Sequence, residues 1–94
     1  MFILNLTYTA PLDRVDALRP AHVDWLKGGA AAGHLVGWGR KIPAEGGVIL
    51  ATGERAAVEA FAQTDPYFVN GVARFEVIEF APSFLAPDLP ALAT

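Results

Sequence analysis

Leu35-Val36-Gly37-Trp38-Gly39-Arg40-Lys41-Ile42-Pro43-Ala44-Glu45-Gly46-Gly47-Val48-Ile49-Leu50-Ala51 reads as two strands joined by a turn. Leu35 to Ile42 carries Leu35, Val36, Trp38 and Ile42 as its apolar residues, with Arg40-Lys41 near its end. Pro43 to Gly47 is a run of turn formers, in which proline presets φ and glycine admits positive φ. Val48 to Ala51 is short and continuously apolar, the pattern of a strand buried on both faces. A hairpin therefore stands at the centre of the chain, and the flanking segments must pack around it.

Toward the N-terminus, Leu18, His22, Trp25 and Gly29 fall on one helical stripe, with Leu26 beside it. The spacing predicts a helix from about Val15 to Ala32, closed by Gly33. Pro20 lacks an N–H and clashes with a preceding turn, so a break is expected near Arg19-Pro20. Asp13, after Pro11, is placed to cap the start. Phe2 to Tyr8 alternates with a period of two and reads as the first strand. Toward the C-terminus, Thr52-Gly53 opens a helix from Glu54 to about Gln63, with Val58, Phe61 and Ala62 inward. Asp65-Pro66 stops it, because the residue before proline is pushed out of the helical region. Asp65 is then the N-cap of a short helical turn, Pro66 to Val69. Asn70-Gly71 leads into a last strand, Val72 to Phe80. The order β-α-β-β-α-β predicts an α+β, ferredoxin-like fold: a four-stranded antiparallel sheet with two helices on one face.

The chain has 94 residues, 53% hydrophobic and 18% charged, which is one domain. That domain is expected over residues 1–81, with 82–94 a proline-punctuated tail. The net charge of −3, without a basic run, argues against nucleic-acid and anionic-membrane partners. The absence of cysteine removes disulfides, thiolate metal sites and thiol nucleophiles. No apolar run reaches the ~18 residues of a membrane helix. No positive charge precedes Arg14, unlike a signal peptide, so a cytoplasmic location is the default expectation. The helices cover only one side of such a sheet. Ile3, the apolar third strand and both parities of the last strand leave apolar residues on the other side. A second copy, sheet to sheet, is the simplest cover and gives a homodimeric α+β barrel. Burial of ~600 Å² of apolar surface per chain would contribute ~15 kcal/mol before association costs.

His34, after Gly33 at a strand entrance, reads as a surface residue. His22 lies on the apolar stripe and must satisfy two ring nitrogens in a dry place. Its plain reading is a core histidine bonded to a carbonyl, or one at a dimer seam. Asp65 offers another: both helices lie on one face of the sheet, so its carboxylate can hold His22 in one tautomer. A carboxylate–histidine pair of that kind suits general acid–base work, and capping does not compete because a carboxylate has two oxygens. Tyr67 would add a phenolic O–H, and Arg40-Lys41 either an anion contact or only a solvated strand end. Trp38 and Phe75 wall a pocket for an aromatic ligand or simply pack. Two scattered histidines make no metal-ligand spacing. The single serine, Ser83, lies in the tail.

Arg19-Pro20-Ala21-His22 followed by Trp25-Leu26, Gly33-x-Leu35 entering a strand, and Asp65-Pro66-Tyr67 with Gly71 before the last strand resemble the YCII-related (YciI-like) family. The resemblance runs over about residues 1–81. It implies the ferredoxin-like fold, dimers through the sheets, and a histidine–aspartate pair in a small cleft, carried here by His22 and Asp65. Members resemble enzymes of small-molecule breakdown, with acid–base elimination on ring compounds the clearest theme. After Gly39 the family usually continues with proline, where this chain has Arg40-Lys41. That departure alters the rim of the site toward an anionic or phenolate ligand. The sequence therefore points to an acid–base enzyme, a lyase, isomerase or hydrolase without cofactor or metal. His22 and Asp65 would be catalytic, and Tyr67, Arg40, Arg19 and Trp38 would contact the ligand. A non-catalytic ligand-binding or accessory dimer is the alternative.

Overall fold

A computed structural model describes residues 1–86. The expected tail, 82–94, lies for the most part outside them. Four strands, β1 (Phe2–Tyr8), β2 (Leu35–Arg40), β3 (Gly46–Ala51) and β4 (Ala73–Glu79), form one sheet in the order β2-β3-β1-β4. Every pairing is antiparallel, and helices cover one face. The fold is α+β and ferredoxin-like, as the hairpin-centred order requires.

The first helical region is two helices, α1 (Leu12–Ala17) and α2 (Arg19–Ala31). The break at Leu18 is the expected one. Pro20 sits in the first turn of α2, where its missing N–H has no intrahelical partner to lose. The cap is a correction. Pro11, not Asp13, occupies the N-cap of α1, and Asp13 lies inside the first turn, where its charge favours the helix dipole. Gly33, at φ 84°, takes the left-handed position after α2. The second helical region is α3 (Arg55–Ala62) followed by α4 (Pro66–Val69), the latter capped by Asp65.

The hairpin strands also differ from expectation. β2 ends at Arg40, and Ile42, placed in that strand by its apolarity, is 99% exposed. Pro43 has no N–H to continue the ladder, and Lys41 N–H already closes the hairpin on Gly46 O at 2.9 Å. β3 begins two residues early, because Gly46 and Gly47 pair with Thr7 and Leu6. A Cβ at position 46 would lie 1.8 Å from the Leu6 carbonyl oxygen, so only glycine lets β3 approach β1 there.

Phe2, Leu4 and Leu6 point from β1 to the helices, beside Ala51 and Ile49 of β3, and Val15, Leu26, Val58 and Ala62 close the core over them. The opposite parity is open: Val48 is 36% and Ile78 41% exposed, so β3 is not buried on both faces within one chain. No helix among the described residues is long and apolar enough to cross a membrane.

Candidate active site

The restart of the chain at Leu18 sets the position of His22. Its N–H makes the first full-turn bond of α2, to Leu18 O at 3.0 Å. Asp65 arrives from the end of α3. Its Oδ1 accepts the Tyr67 N–H at 3.0 Å, which caps α4, and lies 2.7 Å from His22 Nδ1. Capping and pairing thus share one oxygen. A carboxylate only accepts, which assigns the ring proton to Nδ1 and leaves the lone pair on Nε2. The two side chains are 12% and 3% exposed, dry enough for the contact to be strong.

Aromatic packing fixes the plane of the imidazole. Tyr67 stacks on it with ring centroids 3.8 Å apart and 11° between planes. Trp25 lies over it at 5.7 Å and stacks in turn on Phe61 at 4.4 Å. The Trp25 indole N–H donates to Thr64 Oγ1 at 2.9 Å, so the stack is pinned at its far end. Among the described residues no buried side-chain nitrogen or oxygen lacks a partner, and Nε2 has none within the chain. Nε2 is therefore open to solvent.

It opens onto a cleft between α2 and the β2–β3 side of the sheet, with a volume of about 280 Å³. That is near the lower end of the ~300–1,000 Å³ typical of small-molecule sites, room for one ring compound. Arg19, His22, Val23 and Leu26 form its helix wall, and Leu6, Tyr8, Ile49, Trp38 and Arg40 its sheet wall, with Tyr67 alongside. Five of the six residues singled out in the sequence thus border one cavity. The sixth, Asp65, stands behind the imidazole and is not among the residues that line the cavity.

Arg40 is not a solvated strand end. Its guanidinium donates to Asp16 of α1, and its Nε–H donates to the Tyr8 hydroxyl at 3.0 Å. Asp16 first, and Tyr8 next, hold it more firmly in its charged form than an ordinary arginine. Tyr67 is pushed up to about 12, chiefly by burial and then by Tyr8, with Arg40 and Arg19 pulling the other way. Phe75 packs against Phe68 at 5.0 Å and takes no part in the cleft. His34 is exposed, as expected. Sequence reasoning missed Tyr8 and Asp16. Tyr8 shares the parity of Leu6, so it was already on the helix side of β1, but an aromatic there reads as packing. Among the described residues, no three or more His, Cys, Asp or Glu side chains gather closely enough to hold a metal ion.

The model of the YCII-related domain matches residues 1–81. No curated protein matches. Among solved structures, the chain is similar to the 5-chloro-2-hydroxyhydroquinone dehydrochlorinase TftG from Burkholderia phenoliruptrix AC1100, in complex with 2,5-dihydroxybenzoquinone. The likeness has a TM-score of 0.66 at 18% identity, and covers 86% of this chain and 94% of that one. At that identity it speaks for the fold alone. The domain match spans the whole sheet and all four helices, including the Asp65-Pro66 cap and the Arg19-Pro20 restart, and the chain is a member of the YCII-related family.

Proposed function

We propose that the chain is a small-molecule enzyme of general acid–base type acting on a ring compound, with His22 as the proton-moving residue. The observation that carries this reading is the 2.7 Å contact between Nδ1 and Asp65, which leaves Nε2 as a base on the cavity wall. Nε2 takes a proton from the substrate, and Asp65 faces the imidazolium so formed and stabilises it. Tyr67 and Arg40 steady negative charge developing on a substrate oxygen. With its ionisation at about 12, Tyr67 remains a hydrogen-bond donor across the neutral range. Elimination, isomerisation and hydrolysis all use these parts. The dehydrochlorinase name of the structural neighbour favours elimination, loss of a leaving group from a ring. The functional unit is a homodimer closed through the open sheet faces, which leaves the cleft on the helix side free.

The test is conversion of chlorinated hydroquinones, 5-chloro-2-hydroxyhydroquinone among them, followed by chloride release. Turnover should fall by about 100-fold or more in His22→Ala. In Asp65→Asn it should fall while ¹⁵N NMR reports the ring proton redistributed from Nδ1 to Nε2. Saturable binding without conversion would make this a ligand-binding module instead. Unchanged turnover in His22→Ala would remove His22 from the chemistry.

A further inference from the structure

The polar atoms on the cleft wall are of one kind. Arg19, Arg40, Tyr8 and Tyr67 present donors, His22 Nε2 is the exception, and no aspartate or glutamate lines the cavity. In a chain of net charge −3, that is a local reversal of sign. The Tyr8–Arg40 contact sharpens it. A tyrosine hydroxyl has one proton to give and lone pairs to receive with, whereas a guanidinium can only donate. Arg40 Nε–H therefore occupies a lone pair of the Tyr8 oxygen, and the Tyr8 proton must go elsewhere. No protein acceptor for it is present among the described residues, and the Tyr8 side chain borders the cavity. Donation from a cation into a hydroxyl also makes that hydroxyl a better donor in its own right. Asp16, through its bond to the same guanidinium, keeps Arg40 from swinging away.

We infer that Tyr8 is a further substrate-contacting residue: its O–H, backed by Arg40, binds the oxyanion of a planar ring, a phenolate or an enolate. A planar ring fits because Trp38, Tyr8 and Tyr67 all border the cavity and give it aromatic walls. The oxyanion is favoured because donors outnumber acceptors on this wall and a guanidinium stands behind the Tyr8 hydroxyl. An added negative charge therefore meets more partners there than a neutral hydroxyl does. Besides the charge it brings to the cleft, Arg40, set by Asp16, supports the Tyr8 hydroxyl through its Nε–H. This inference rests on the cleft being the ligand site of the acid–base reading, but it concerns binding and needs no turnover.

The probe is 4-nitrophenol, whose anion absorbs separately from the neutral form, titrated with the full chain over a range of pH. The bound probe should ionise at least about one pH unit below the free one, which is an approximately tenfold preference for the anion. Tyr8→Phe should lose about tenfold in affinity for the anion and little for the neutral phenol, and Arg40→Met should move in the same direction. Chloride release and the anion preference are read separately in the same native chain, so that a failed elimination assay and a failed oxyanion site give different patterns. Equal affinity for the two ionisation states, or no saturable binding, overturns the inference. A folded Tyr8→Phe protein that keeps the preference does so too. Should Tyr8→Phe fail to fold, an undiminished preference in Arg40→Met overturns it.

Discussion

The Tyr67 ring is 2% exposed and presses on His22, while its hydroxyl has no partner within the chain among the described residues. That combination has a consequence at high pH. The unfolded chain releases the Tyr67 proton near 10, the folded chain at about 12. Between those values the folded state holds a proton that the unfolded state has lost, so stability present below pH 10 drains away as pH rises through the window. One proton corresponds to at most about 1.4 kcal/mol per pH unit, less where cleft water screens the phenolate. Urea unfolding at about pH 10 and about pH 11 should therefore find native protein losing about 1 kcal/mol more than Tyr67→Phe. Equal losses would mean that burial does not control this phenol. At this scale the sequence made some residues legible and not others. His22 stood out because a titratable ring on an apolar stripe demands a partner. Asp65 did so because Asp-Pro after a helix fixes where a carboxylate must sit. Tyr8 did not, since only the arrival of Arg40 from a different strand turns it from packing into a donor.

Two adjacent glycines of α2 separate helix propensity from helix packing. A Cβ on Gly28 would meet nothing within 4 Å. One on Gly29 would stand 2.6 Å from the tip of Phe61 and 2.8 Å from Leu35. Gly28→Ala should thus stabilise the protein by about 0.5–1 kcal/mol, through the backbone freedom alanine removes. Gly29→Ala should destabilise it by about 1–3 kcal/mol, because Phe61 cannot yield without disturbing Trp25 and the stack on His22. Thermal melts of both variants check this, and a rise in both would show that α2 rides loosely on α3. Element order was legible because Pro20, Pro43, Pro66 and the glycines punctuate it. Element ends were less so. Gly46 and Gly47 look like loop, since glycine is a poor strand former, and only the approach of Leu6 O makes glycine the residue the strand requires there.

The two sides of the sheet divide the work of the whole molecule. The helix side holds the core and the cleft. The other side carries Ile3 opposite Leu50 and Ile78, with Val48 and Phe80 more than a third exposed. Among the described residues both helical regions are committed to the first side, which leaves this face uncovered by any helix. Contiguous apolar surface of this kind marks an association site, and a stable pair of copies needs roughly 800 Å² from each partner. Sedimentation at micromolar concentration should accordingly give a particle of twice the 10.0 kDa chain. Ile78→Asp puts a charge among Ile3 and Leu50, where it would have to be buried unpaired, and should shift the protein to monomer. Because Ile78 points away from His22, the monomer should still carry the Nδ1 proton shared with Asp65. A native chain that remains monomeric at all concentrations would leave that face to some other partner, and would also locate the whole of the site within one copy. A dimer that falls apart in Ile78→Asp together with the His22–Asp65 contact would mean that sheet pairing, and not the helix layer alone, holds the cleft in shape.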